Sequence, residues 1–187
     1  MIDIHTHILP NVDDGSKSFE MSMTMLKQAK EQGVTHIILT PHKILDSKMD
    51  LPKEEMEAKF LEFKDKTKDL GIELILGSEI FYTTKAFHKL IGGELTTINN
   101  SKYCLVEFPM GEEVDIEESL YNIRVNGFIP ILAHPERYHY LKLDEIISIK
   151  EQALIQINST SILGLHSKKS KKMAFDLLKK DLVDFVA

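Results

Sequence analysis

Ile2-Asp3-Ile4-His5-Thr6-His7, residues 2–7, carries the pattern on which the fold turns: a short β-rich run that ends in metal-binding side chains instead of a polar turn. Such a run reads as a strand, and His5 and His7, one residue apart along it, project from the same face. Similar β-rich runs recur from here to the end of the chain. Strands are expected at 2–6, 35–40, 72–79, 103–107, 129–133, 154–158 and 183–187.

Segments of helical period separate these strands. Phe19, Met23 and Leu26 recur at helical spacing before Gly33, and Met56, Phe60 and Phe63 do so before Leu70 and Gly71. Both glycines suit a helix stop, where a left-handed residue is needed. A third helix is expected from Asp115 to Asn126. Asp115 and Glu118 have capping-box spacing, Ile116, Leu120 and Ile123 form one apolar face, and Gly127 ends it. Further helices are expected at 84–91, 143–152 and 168–181. The last carries Lys168, Lys169, Lys171 and Lys172, which read as a solvated face. Alternating strands and helices with right-handed crossovers give an α/β fold, either an open doubly wound sheet or a closed barrel. Asp14-Gly15-Ser16 follows the first strand without a Gly-rich phosphate-binding pattern, which weakens the nucleotide-binding versions of the open sheet.

The 187 residues, 43% hydrophobic, suffice for one well-filled core, so residues 1–187 read as a single domain. A net charge of -6 argues against general nucleic-acid binding. One cysteine, Cys104, and an opening without a basic and apolar leader point to a reducing, cytoplasmic setting. The apolar runs 37–39 and 129–133 are far shorter than the roughly 20 residues that span a bilayer.

The chemistry lies at the strand ends. After His5 and His7, His42 comes after the second expected strand, Glu79 ends the third, Glu107 ends the fourth and His134 comes after the fifth. The carboxyl edge of a βα fold is where sites are assembled, and scattered solvated residues would not keep this phase. Asp13 and Asp14 lie in the first loop; Asp14 is the chosen oxygen ligand, against its reading as a simple turn residue before Gly15. Imidazole and carboxylate without thiolate fit Mn, Fe or Zn. Several carboxylates suggest more than one ion, able to activate water and bind phosphoryl oxygens. Arg137, just past His134, could hold a phosphate bidentately, whereas Glu136 reads as structural. His36, His88, His139 and His166 lack the strand-end phase and read as non-ligands. Cys104 lies inside a strand, and Met110 stands where a C-x5-R phosphatase loop needs arginine, so it reads as a small buried hydrophobe.

Taken together, Asp3-Ile4-His5-Thr6-His7, Val12-Asp13-Asp14-Gly15, Thr40-Pro41-His42, Gly77-Ser78-Glu79-Ile80, Val106-Glu107-Phe108 and Ala133-His134-Pro135-Glu136-Arg137 resemble the polymerase and histidinol phosphatase (PHP) superfamily. More narrowly they resemble its bacterial manganese-dependent protein-tyrosine phosphatases of capsule and exopolysaccharide synthesis. The resemblance implies a distorted (β/α)7 barrel, a centre of three metal ions, and hydrolysis of phosphotyrosine on the tail of a cognate tyrosine kinase by a metal-bridging hydroxide. It matches His5, His7, Asp14, His42, Glu79, Glu107 and His134 to metal ligands and Arg137 to a phosphate-binding arginine.

Two departures qualify the match. The family continues after the seventh strand with an Asp-x-His motif, whereas this sequence stops at Val183-Asp184-Phe185-Val186-Ala187, so a truncated chain with weakened binding at one metal site is expected. The segment from Lys43 to Leu51 also lacks the glycine and aromatic pair expected after His42. Two other functions stay open: a phosphatase of a small metabolite such as histidinol phosphate, and a noncatalytic metal-stabilised binding module.

Overall fold

The computed structural model describes residues 1–187, which divide into two compact units, Met1–Ser101 and Lys102–Ala187. In the first unit, β1 (Ile2–Thr6), β2 (His36–Leu39) and β4 (Glu73–Leu76) form a parallel sheet in the order β1-β2-β4. Two shorter strands, β3 (His42–Lys43) and β5 (Glu79–Phe81), pair in parallel. The helices are α1 (Phe19–Glu31), α2 (Lys53–Thr67) and α3 (Thr84–Ile91).

Ser18 opens α1 by accepting the Met21 N–H, and Gly33 beyond its end takes φ +84°. Leu26 of α1 and Met56, Phe60 and Phe63 of α2 bury against Ile37, Leu39 and Leu74 of the sheet. Each such side chain, removed from water, stabilises the unit by about 1.5–3 kcal/mol. The expected positions of α1 to α3 agree with those observed.

The expected strand 72–79 is two strands. Gly77 donates to the Leu39 carbonyl at 2.8 Å and Glu79 to the Pro41 carbonyl at 3.1 Å, so pairing steps past β2 onto β3. Gly77 lies so close to Ile38 and Thr40 that a Cβ there would come within 3.2 and 3.3 Å of their methyl groups. Proline at 41 supplies no N–H and interrupts the second strand at the same level. Glu79 therefore begins a strand instead of ending one, and His42, which comes after β2 as expected, opens the short strand β3.

In the second unit, β6 (Tyr103–Glu107), β7 (Ile129–Ala133), β8 (Leu154–Ile157) and β9 (Phe185–Val186) form a parallel ladder in that order. The helices are α4 (Ile116–Val125), α5 (Leu143–Ile149), α6 (Ser159–Leu163) and α7 (Lys168–Lys179). Leu105, Val106, Leu132 and Ile155 are wholly buried, as near-continuous apolar strands in parallel sheets require. Asp115 caps α4 by accepting the Glu118 N–H at 2.9 Å.

Several expected boundaries shorten. Helix 143–152 stops at Ile149 because Glu151 and Gln152 donate to Ser148 and Ile149 in tight turns. Helix 168–181 stops at Lys179, before Asp181 at φ +57°. Strand 183–187 reduces to Phe185–Val186, because the Asp184 carboxylate accepts the Ile155 N–H that a longer ladder would have engaged. Helix α6 has no counterpart among the expected helices. The strands form parallel ladders of an α/β fold, and no closed barrel is found among them. No helix is long and apolar enough to cross a membrane.

Candidate metal centre

At the end of β1, Thr6 is clamped to the neighbouring strand. Its N–H donates to Thr40 Oγ1 at 3.0 Å and its hydroxyl to the Ile38 carbonyl at 2.9 Å. This fixes the flanking histidines. His5 Nε2 lies 3.1 Å from Glu79 Oε2, His7 Nε2 lies 3.3 Å from the same oxygen and 3.3 Å from His5 Nε2, and His42 Nδ1 lies 3.0 Å from it. His42 meets Glu79 because the two are register partners in the β3–β5 pair. The Glu79 side chain is about 1% exposed, so three imidazoles converge on a buried carboxylate.

Asp13 sets this arrangement from behind. Its Oδ2 lies 2.7 Å from His7 Nδ1 and accepts the His42 N–H at 3.0 Å, while Oδ1 accepts the Gly15 N–H at 2.9 Å. With Nδ1 engaged by Asp13, Nε2 is the His7 nitrogen turned towards His5 and Glu79. Burial disfavours the His7 cation, but hydrogen bonds to Asp13 and Glu79 outweigh it and hold the imidazole up at about 10. Burial likewise works against the Asp13 carboxylate, yet its bonds to His7, Gly15 and His42 keep it below the usual range. Burial is the main cause that lowers His42. Asp14, exposed in the same loop, places Oδ1 3.5 Å from His42 Nε2.

The second unit holds a second pair. Glu107 ends β6 and His134 comes directly after β7, and their Oε1 and Nε2 atoms lie 3.6 Å apart. His134 adopts φ +35° and ψ +55°, a left-handed conformation that is costly for a residue with a Cβ. Its N–H donates to Gln156 Oε1 at 3.3 Å. The turn Pro135–Arg137 comes next, with Arg137 half-buried. Glu136 is buried and its Oε1 accepts the Asn158 N–H at 3.0 Å. Tyr138, 2% exposed, accepts the Phe108 N–H on its hydroxyl at 3.0 Å and so holds the chain just past Glu107.

The donor set fits divalent metal. Ligand atoms bonded about 2.0–2.2 Å from one ion lie about 3.0–3.5 Å apart. Each of the three imidazoles lies 3.0–3.3 Å from Glu79 Oε2, and His5 and His7 Nε2 lie 3.3 Å apart. His7, His42 and Glu79 form one group able to hold an ion, and His7, Asp13 and Asp14 form another. Nitrogen and carboxylate oxygen without thiolate suit Mn, Fe or Zn.

The expected residues of the first unit, His5, His7, Asp14, His42 and Glu79, therefore gather in one place, and Glu107 and His134 gather in the second. Sequence reasoning misses Asp13 and Tyr138 as positioning groups. For Asp13 the sequence shows only an acidic residue two before Gly15 in the loop after His7, and not that its carboxylate turns back onto His7. Tyr138 carries no signal, because its partner Phe108 is 30 residues away. His36 and His88 lie exposed in β2 and α3, His139 offers its carbonyl to Lys169, and His166 lies 2.9 Å from the Thr160 hydroxyl. Cys104 is wholly buried, and burial pushes its thiol up to about 12.

The family model for capsular polysaccharide synthesis, CpsB/CapC, matches residues 1–187. The chain belongs to the CpsB/CapC family. It is 37% identical over 200 residues to tyrosine-protein phosphatase CpsB of Streptococcus pneumoniae, covering 100% of this chain and 81% of the relative. It is 33% identical over 192 residues to tyrosine-protein phosphatase YwqE of Bacillus subtilis, covering 100% and 76%. A chain from the crystal structures of YwqE from Bacillus subtilis and CpsB from Streptococcus pneumoniae, described as metal-dependent tyrosine phosphatases, superposes with a TM-score of 0.87 at 30% identity. That superposition covers 100% of this CpsB/CapC chain and 78% of the solved one.

Proposed function

We propose that this CpsB/CapC chain is a metal-dependent protein-tyrosine phosphatase. The observation that carries the reading is the convergence of His5, His7 and His42 on the buried Glu79 carboxylate at 3.0–3.3 Å. The named activity of the related CpsB and YwqE supports it.

His5, His7, Asp14, His42, Glu79, Glu107 and His134 would hold the metal. Bound divalent ions supply an activated water and Lewis acidity towards phosphoryl oxygen. The chain's own residues do the rest. Asp13 orients His7, the Thr6–Thr40 clamp fixes β1 against β2, and Gln156 and Tyr138 tie down the backbone at His134 and beyond Glu107. Arg137 binds the phosphoryl group through its planar guanidinium. No cysteine takes part, since Cys104 is buried and its thiol holds its proton far above neutral pH.

The finer reading is a single phosphatase domain on a PHP-type (β/α)7 frame. It carries three metal sites filled by manganese and acts in the cytoplasm on the phosphotyrosine tail of a kinase of capsule synthesis. The family's tie to capsular polysaccharide synthesis supports the substrate. The test compares hydrolysis of a phosphotyrosine peptide with that of histidinol phosphate, after metal stripping and reloading with manganese. Equal or reversed preference, or full activity in excess chelator, would overturn the reading.

A further inference from the structure

We propose that the exposed rim of Leu163, Leu165, His166, Lys168 and Lys169 beside Arg137 docks acidic and apolar residues flanking the phosphotyrosine of a protein substrate. The proposal rests on the phosphatase reading and names the kind of segment this site selects.

Three contacts within the second unit tie the rim to the turn that carries Arg137. The Asn158 N–H at the start of α6 donates to Glu136 Oε1 at 3.0 Å, Lys169 Nζ donates to the His139 carbonyl at 2.6 Å, and α7 packs against the turn Pro135–Arg137. The loop from α6 to α7 is held by the contact of His166 Nε2 with Thr160 Oγ1, 2.9 Å apart. Arg137 and burial together lower the His166 imidazole, burial being the larger cause, which accords with their nearness.

The composition of the rim is poorly suited to stability. Leu163 and Leu165 are 68% and 71% exposed, on either side of Gly164. Single exposed leucines are ordinary, but two at one loop tip bordered by cations make an apolar contact surface. Lys168, Lys169, Lys171 and Lys172 crowd the first turns of α7, which has no acidic residue in its first turn, so the helix dipole and mutual repulsion both oppose them. The chain as a whole carries -6, so this positive patch is a local departure. Asp176 answers Lys172 at 2.9 Å and the His139 carbonyl answers Lys169, whereas Lys168 opens the helix against its dipole, a break of a local rule that points to function. Carboxylates beside a phosphotyrosine would meet the lysines, and an apolar neighbour would cover the leucines. An acidic segment is favoured over a lipid surface because the patch is tied to the residue assigned to phosphate.

The experiment measures kcat/KM of the manganese-loaded chain on two phosphotyrosine peptides, one flanked by glutamate and leucine and one by glutamine and serine, with para-nitrophenyl phosphate as the small substrate. Equilibrium binding of a fluorescent acidic peptide bearing a non-hydrolysable phosphotyrosine analogue is measured in parallel. About tenfold preference for the acidic peptide is expected, falling with salt. Lys168→Glu should erase the preference, and Leu163→Ser with Leu165→Ser should weaken acidic-peptide binding, while small-substrate turnover stays unchanged. Lys179→Glu at the far end of α7 should change none of these. Equal use of both peptides by the unaltered chain, or a preference that survives Lys168→Glu, would overturn the proposal. So would binding to anionic lipid vesicles, but not to the peptide, that depends on the same residues. Failure to hydrolyse any phosphate ester would count against the phosphatase reading, and the binding measurement would still decide the rim.

Discussion

Asp13 and Gly15 each act on His7 through contacts that adjacent sequence does not reveal. A Cβ on Gly15 would lie 2.3 Å from both the Cβ and the carbonyl oxygen of His7, so glycine serves close approach here. Gly15→Ala should destabilise the chain by about 1–3 kcal/mol and loosen metal binding, whereas Gly111→Ala, with nothing within 4 Å, should leave thermal unfolding nearly unchanged. Thermal melts and metal content of the two variants check this. Asp13→Asn keeps the shape but loses the charge that holds His7 Nδ1, and should weaken metal affinity about 10–100-fold by calorimetry. His134 stores backbone strain at a proposed ligand. His134→Gly should therefore be about 1 kcal/mol more stable than His134→Ala in thermal unfolding, although both lose the same imidazole. Equal stability of the pair would remove strain as a factor.

Among the elements, β6 shows how burial decides reactivity. Cys104 lies inside it, wholly buried, and desolvation alone pushes the thiol up to about 12 from an ordinary value near 9.0. The folded chain thus holds this proton more tightly than the unfolded chain. The resulting stability is complete below about pH 9 and is lost as pH rises towards about 12. Denaturant unfolding between pH 8 and 11 should show this loss in the original chain and less of it in Cys104→Ala. An alkylating reagent at pH 8 should label the thiol only after denaturation, and Cys104→Ala should retain phosphatase activity. The pairing of β3 with β5 is likewise a property of elements: without it, His42 and Glu79 would lie on unrelated strand ends.

For the molecule as a whole, the metal is expected to be a structural ligand as well as a chemical one. Burying Glu79 among three imidazoles costs solvation that bound cations offset. Chelation should abolish turnover and lower the unfolding temperature, and manganese at about 100 times its dissociation constant should restore about 2.7 kcal/mol. Differential scanning calorimetry with and without metal checks this, and an unchanged melt would remove the structural role.

Much of the element order is legible in the sequence, because hydrophobic period and capping chemistry are local. Leu26 and Phe63 repeat with the helix, Asp115 caps α4, and the runs 103–107 and 129–133 are largely apolar. The types and order of the candidate ligands are legible for a similar reason, since few side chains hold divalent metal. The step of pairing past Gly77 that makes Glu79 the partner of His42 is not legible, and neither is the position of Asp13 behind His7. The left-handed turn at His134 and the contact of the Tyr138 hydroxyl with the Phe108 N–H are equally hidden. The amino-acid order alone specifies which groups are present and roughly where each strand delivers them. Which atoms meet is settled only in three dimensions, because hydrogen-bond register and close backbone approach arise between segments that are distant along the chain.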